Sequence, residues 1–308
     1  MGTLTVTRPG MLSTVQDLGR WGSQHLGVPV AGPMDWYSHR LANAMLGNAL
    51  DAAAVEITLM GPELIADAET MCAVAGAEFE LTAGDRRVRT GETFVVRAGE
   101  RVRFGNRIAG SRATLAVSGG FMVPPVLGSR STSLISKLGP FGGRALRPGD
   151  VLPIGPSAPV ARRHHGRALP LPRAGARLRV MMGPHEGSFS DAARRAFVSE
   201  RFEVTPESNR MGYRLDGPRL EYVRPIDMLS DATPLGSLQV PPSGWPILLM
   251  ADRQTTGGYP KMATVITADL PLAGQLAPGD WIEFVSVTRA AAVDALRQRV
   301  AALSRAQP

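Results

Sequence analysis

The widest choice of chemistry in this chain is concentrated between Gln239 and Ala263. An apolar run, Ile247-Leu248-Leu249-Met250, stops abruptly and is followed by Ala251-Asp252-Arg253-Gln254-Thr255-Thr256-Gly257-Gly258-Tyr259-Pro260-Lys261. A plain turn needs about two to five residues, drawn mostly from Gly, Asn, Asp, Ser and Pro. This run holds an acid, two cations, an amide, two hydroxyls and paired glycines. Paired glycines let backbone N–H groups converge on an anion. Arg253, Gln254, Thr255, Thr256 and Lys261 add donors, and Asp252 adds an acceptor. Of the 34 basic residues only Lys137 and Lys261 are lysine. A position that keeps a compact ammonium in so arginine-rich a chain suits a developing oxyanion better than a planar fork does. Lys261, Asp252 and Arg253 are therefore the expected catalytic group. Asp252 either orients Arg253 or acts as a base. The alternative for the whole run is a solvated hairpin tip.

Other candidates are weaker. The five histidines (His25, His39, His164, His165 and His185) show no metal-ligand spacing, so no metal is expected. His185, in Gly183-Pro184-His185-Glu186-Gly187, reads as a turn residue or as a site residue. There is no G-x-x-x-x-G-K-[ST] loop for a nucleotide. Neither lysine lies in the Gly/Ser-rich run that amidase-type hydrolysis requires. Arg20, in Asp17-Leu18-Gly19-Arg20, belongs to a salt-bridged turn or faces a subunit interface or an anionic substrate. Arg210, between Asn209 and Met211-Gly212-Tyr213, reads as functional.

The elements that must position these groups are mostly β. Short runs at Met71–Ala75, Glu78–Leu81, Thr93–Val96 and Arg101–Phe104 are punctuated by Gly and suggest barrels or sandwiches rather than βαβ units. Three helices are expected. The first is capped by Asp35 with Tyr37, Leu41, Ala44 and Met45 on one face. The second is capped by Ser190, and the third starts near Thr288 with Val293, Leu296, Val300 and Leu303 as a stripe. Leu146-Arg147-Pro148-Gly149-Asp150-Val151-Leu152-Pro153-Ile154 is echoed by Leu276-Ala277-Pro278-Gly279-Asp280-Trp281-Ile282-Glu283-Phe284, which suggests two related halves. The reading is α+β, mostly β, with units at 1–158 and 173–308 joined by a Pro/Arg-rich linker at 159–172. The formal net charge of +7 is spread over scattered arginines, and aromatics are only 6%. With no stacking platform, nucleic acid is not expected as a partner. Cys72, the single cysteine, lies in an apolar run and fits a core in a reducing compartment. No leader or membrane span is visible, so a cytoplasmic protein is expected.

Several separated motifs occur in one order. They are Arg8-Pro9-Gly10, Thr14-Val15-Gln16-Asp17-Leu18-Gly19-Arg20, Gly32-Pro33-Met34-Asp35, Ser208-Asn209-Arg210-Met211-Gly212-Tyr213-Arg214, Gln239-Val240-Pro241-Pro242 and Asp252 to Lys261. Together they resemble the KipA family, also called allophanate hydrolase subunit 2 or the biotin-dependent carboxyltransferase domain. Bacterial members include the C subunit of 5-oxoprolinase. The resemblance implies two cyclophilin-like β-barrel units with a few short helices. It implies a heteromeric complex with a KipI-type subunit and a LamB/YcsF-type subunit, and hydrolysis of 5-oxoproline to glutamate with ATP shared among the subunits. Its alternatives are a urea carboxylase-like carboxyltransferase, with biotin carried by another protein, and a non-enzymatic regulator of a KipI-type kinase inhibitor. The substrate-binding set it suggests is Gln239, Gln254, Thr255, Thr256, Gly257, Gly258, Arg210 and Arg20. Two positions depart from the family pattern. Asn209 stands where the family usually has Asp, and Gly142 stands where it usually has Glu.

Overall fold

The computed structural model describes residues 2–156, 165–166, 168–224 and 228–305. Its strands are β1 (Thr3–Arg8), β2 (Leu12–Gln16), β3 (Ala54–Thr58), β4 (Glu63–Ala66), β5 (Thr70–Ala83), β6 (Arg86–Val88), β7 (Thr93–Val96), β8 (Arg101–Val117), β9 (Val151–Pro153), β10 (Gly175–Met182), β11 (Arg201–Val204), β12 (Gly212–Asp216), β13 (Asp231–Ala232), β14 (Ser237–Gln239), β15 (Ile247–Leu249), β16 (Thr256–Gly257), β17 (Lys261–Val265) and β18 (Trp281–Ser286). The helices are α1 (Trp36–Met45), α2 (Pro140–Gly143), α3 (Asp191–Ser199), α4 (Leu270–Gly274) and α5 (Arg289–Ser304). By its internal contacts the chain forms two compact units. The first holds Met1–Arg20, Ala31–Leu171 and Arg299–Pro308, and the second Trp21–Val30 and Pro172–Gln298. Of the stretch expected as a linker, residues 159–164 and 167 lie outside the described residues. Among the described residues no helix is long and apolar enough to cross a membrane.

The first unit is built on a nine-stranded sheet with the path β2-β3-β8-β4-β1-β9, and β5 pairs with β6, β7 and β8. Thr93–Val96 is a separate strand as expected, but the other runs expected as short strands belong to longer ones. Met71–Ala75 and Glu78–Leu81 are one strand, and Arg101–Phe104 continues to Val117. The glycines between them do not end strands. Gly76, at φ 96°, sits where the β5–β8 register shifts, so it marks a bulge that bends a continuous strand. Alternate side chains of these strands, with Leu4, Val6, Ile57, Phe79, Phe104 and Leu115 among them, fill one core. Cys72 belongs to it, and burial pushes its thiol up to about 12. Helix α1 is capped as expected: Asp35 Oδ1 accepts from the Ser38 N–H at 2.9 Å. Tyr37, Leu41, Ala44 and Met45 are all buried.

The second unit is a closed barrel in the order β10-β17-β14-β15-β12-β11-β18. Phe197 of α3 stacks on Phe284 of β18 at 4.7 Å between ring centroids, with Phe202 of β11 beside them. Ser190 caps α3, accepting from the Ala193 N–H at 3.1 Å. Helix α5 forms where expected, but its buried face differs from the expected stripe. Of that stripe Leu303 is buried, but Val293 and Val300 are exposed, and Ala295, outside it, is buried. Ala292 and Ala295 pack with Ile266 and Ala268. Small residues allow that approach, and a ranking by hydrophobicity passes over them.

The sequence echo is a repeated turn. In each copy a Pro at the second position and a Gly at the third, φ 87° at Gly149 and 88° at Gly279, make the left-handed corner of a type II turn. In each the Asp side chain accepts from the first residue's N–H, Arg147 at 2.7 Å and Ala277 at 2.8 Å. Each then exchanges a pair of backbone hydrogen bonds with a valine, Val6 in the first unit and Val204 in the second.

Candidate functional site

Lys261 opens β17 at an irregularity. Leu238 faces Ala263 and Gln239 faces Lys261, so Met262 is an extra residue and the strand bulges. The bulge is held from outside by Gly183, whose N–H donates to Met262 O at 2.7 Å. A Cβ on Gly183 would lie 2.3 Å from Lys261 O, so no other residue permits this approach. The next turn brings His185 to the same place, and its Nδ1 accepts from the Lys261 N–H at 3.1 Å. That bond makes Nδ1 the acceptor and leaves the ring proton on Nε2. Burial, and then the Lys261 ammonium, lower the His185 pKa, partly offset by Asp231.

The Lys261 side chain is 5% exposed, and its Nζ lies 2.5 Å from Asp231 Oδ2, whose side chain is 60% exposed. The Lys261 hydrogen bond and the Ala232 N–H hold the Asp231 carboxyl below its usual range. Asp231 is placed by the two-residue ladder β13–β16, in which it faces Gly257. This fixes the role of part of the polar run. Thr256 and Gly257 are extended, and neither Gly257 nor Gly258 has a positive φ. The anion-cradling loop expected of the paired glycines is therefore not formed, because the ladder that carries Asp231 takes their place.

The other expected residues divide. Asp252 does not orient Arg253. It binds Arg210 through two bonds, Nε to Oδ2 at 3.0 Å and NH2 to Oδ1 at 3.1 Å, with side chains 1% and 5% exposed. Arg253 donates from Nε to Thr233 O at 2.7 Å, and burial lowers its guanidinium to about 10, still positive at neutral pH. It lines a cavity of about 200 Å³ with Gln24, Thr233, Gln254 and Thr255. Gln254 Nε2 donates to Gln239 Oε1 at 3.1 Å. Thr233 Oγ1 donates to Gln254 O, and Thr233 N–H to Thr255 O at 3.1 Å. Arg20 lies in the first unit, 1% exposed, and donates to Val126 O at 2.8 Å and Ser131 O at 2.9 Å. It pins a loop from within. Its neighbour Asp17 is partly buried, which raises its pKa, but bonds from Ser129, Ser131, Arg130 and Gly19 outweigh this and leave it low. Lys137, by contrast with Lys261, is exposed.

The two family departures have local explanations. Asn209 Oδ1 accepts from the Met211 N–H at 2.8 Å, a bond an Asp would also make. A Cβ on Gly142 would meet nothing within 4 Å, although its φ of 71° favours glycine. Among the described residues no group of three His, Cys, Asp or Glu could hold a metal. Asp231 was not singled out from the sequence. It sits in Leu229-Ser230-Asp231-Ala232 without a motif, and no local signal pairs it with Lys261 thirty positions on.

Known proteins share this architecture. The family model "Carboxyltransferase domain, subdomain A and B" matches residues 26–286. The chain is 40% identical to the 5-oxoprolinase C subunit of Escherichia coli over 282 residues, 92% of this chain and 90% of that protein. It is 38% identical to the protein of the same name in Haemophilus influenzae, over 90% of this chain and 88% of that one. The crystal structure of K. lactis urea amidolyase superposes with a TM-score of 0.91 at 33% identity. It covers 99% of this chain, which spans 20% of that larger protein.

Proposed function

Since the chain belongs to the family of carboxyltransferase domains, subdomains A and B, we propose that it is the C subunit of an ATP-dependent 5-oxoprolinase. With a KipI-type subunit and a LamB/YcsF-type subunit it would open the lactam of 5-oxoproline to glutamate. The observation that carries this reading is the Lys261 ammonium, almost fully buried at a strand bulge and held by the exposed Asp231. A lactam carbonyl under attack gathers negative charge on oxygen, and a fixed ammonium in a dry site stabilises that charge without reorganising. Asp231 fixes the direction of the ammonium. His185, neutral and with its proton on Nε2, can move a proton to the departing ring nitrogen.

ATP fits this chain at its phosphate end. Among the described residues the Arg253 guanidinium has no carboxylate within 4 Å, and it sits beside Thr233, Thr255 and Gln24, a set that matches phosphoryl oxygens in size and charge. Arg253 would hold them, and the bound nucleotide would supply the activation that a stable amide needs. A cavity of about 200 Å³ leaves the base to the other subunits. A second reading, carboxyl transfer with biotin carried elsewhere, is supported by the match to K. lactis urea amidolyase. The same ammonium would then polarise the carbonyl of the carboxylated cofactor.

The test is turnover of the complex reconstituted from its purified proteins. 5-Oxoproline should be consumed with ATP, and the isolated chain should be inactive. Lys261→Arg should lose about 10²–10³ in turnover, because the longer fork misplaces the charge. Retention of more than a third of the activity would remove Lys261 from the reacting carbonyl. Consumption of bicarbonate and biotin with no action on 5-oxoproline would select the second reading.

A further inference from the structure

The outer face of the first unit's sheet carries a row of cations. Arg87 of β6 pairs with Thr82 of β5, Thr82 with Arg103 of β8, Arg103 with Glu63 of β4, and Glu63 with Arg8 of β1. Directly paired residues of antiparallel strands share a face, so these five side chains stand in one line. Arg101, two residues before Arg103, stands on the same face. Little on the face neutralises the row. Glu63 is bound by Arg8 at 3.0 Å, by Arg103 at 3.1 Å and by Arg101 at 3.7 Å, and each of these arginines is more than half exposed. One carboxylate therefore serves three guanidiniums. Glu80, on the same face, accepts from Asn106 Nδ2 at 2.9 Å. Arg87 and the exposed Arg89 make no ion pair among the described residues. Like charges close together on a sheet repel, and the fold itself does not relieve them. Arg87 and Arg89 also rim a cavity of about 370 Å³ that has Met71, Val88 and Phe94 as an apolar wall.

We propose that this face docks an acidic helix of a protein partner, with Arg87, Arg103 and Arg8 as its contacts and the cavity as the seat of one apolar side chain. Adjacent strands lie about 4.8 Å apart, so the three arginines, each two strands from the next, repeat at about 10 Å. Seven residues of an α-helix rise about 10.5 Å and return to the same side, so carboxylates at that spacing meet all three guanidiniums at once. Each guanidinium offers a carboxylate its planar fork, and the added negative charge relieves the repulsion along the row. A nucleic-acid strand fits less well, because no aromatic side chain stands in the row for bases to stack on. The face lies in the first unit and the Lys261 cluster in the second, so the inference does not rest on the oxoprolinase reading.

The test uses the full-length chain and fluorescence anisotropy with three dansyl-labelled probes. The first is a helical peptide with glutamates seven residues apart on one side, the second a helical peptide of the same composition with its glutamates spread around all sides, and the third a DNA duplex. The one-sided peptide should bind about tenfold more tightly than the spread one, the gain expected of three exposed ion pairs made together. Arg8→Gln/Arg87→Gln/Arg103→Gln, which keeps part of each stem and removes the charge, should abolish that gain. The control is Arg177→Gln/Arg201→Gln/Arg297→Gln. It removes the same charge from exposed arginines of the second unit, two of which share Glu283 as Arg8 and Arg103 share Glu63. It should leave the gain in place, and thermal melting confirms that both triple variants fold. The inference is overturned by equal binding of the two peptides, by no peptide binding to the wild-type chain, by an unchanged gain in the folded first triple variant, or by an equal loss in the control. Duplex binding that exceeds the one-sided peptide's and is lost in the first triple variant alone would assign the face to nucleic acid and overturn it as well.

Discussion

Asp252→Asn separates a structural acid from a chemical one. The Arg210–Asp252 pair has both side chains almost fully buried and two hydrogen bonds of 3.0 and 3.1 Å. Asparagine keeps the volume and one acceptor but leaves the Arg210 cation facing a neutral amide in a dry place. Losing one partner of a buried ion pair costs about 3–5 kcal/mol, and the retained acceptor places this variant near 3. In a unit of this size each kcal/mol moves the melting midpoint by about 2–4 °C, so a drop of about 6–12 °C is expected. The double variant Arg210→Met/Asp252→Leu should melt closer to wild type than Asp252→Asn, because it removes the buried cation together with its carboxylate. The assay is calorimetry of the full chain with turnover of the reconstituted complex below the variant's midpoint. If Asp252→Asn melts within about 2 °C of wild type while turnover collapses, Asp252 is a reacting group and the structural reasoning is wrong.

His39 is fully buried, and burial lowers its pKa from 6.5 to about 4. A depressed histidine stabilises the fold only while both states are neutral. That stability is present above pH 6.5 and is lost as pH falls towards 4, about 3 kcal/mol in all. The acid limb of a stability–pH curve should therefore flatten in His39→Gln, and an unchanged slope would show that His39 does not drive it. Gly183→Ala places a methyl about 2.3 Å from Lys261 O, and the strand bulge must give way. We expect a destabilisation of about 1–3 kcal/mol and a loss of turnover larger than unfolding explains. Retention of full turnover would mean that the bulge does not aim Lys261.

The capping residues of α1 and α3 and the doubled Pro-Gly-Asp turn were legible because each is local: a side chain reaching three positions, or a glycine at a forced φ. Lys261 was legible by type, through its rarity among arginines. Its surroundings were not. Asp231 comes from a two-residue strand, too short for any periodicity. The Arg210–Asp252 bond spans 42 positions and reassigns an acid that adjacency alone pairs with its neighbour Arg253. Within residues 70–104 the runs of β5 and β8 were cut short for another reason, while Thr93–Val96 forms as expected. A glycine inside a strand is locally the same signal as a glycine in a turn, and only the partner strand decides which it becomes.

Strand β18 closes the barrel. It pairs antiparallel with β11 and parallel with β10, joining Gly175 to Trp281 and Val180 to Ser286. Closure therefore waits for residues more than a hundred positions apart, and contacts of that separation form slowly. A growing chain that has made β10 to β17 carries two open edges, at β10 and β11, until its last strand emerges. Those edges can pair with another chain as readily as with β18. A truncation just before Trp281 removes no residue of the Lys261 cluster, yet it should turn a folded protein into an aggregating one.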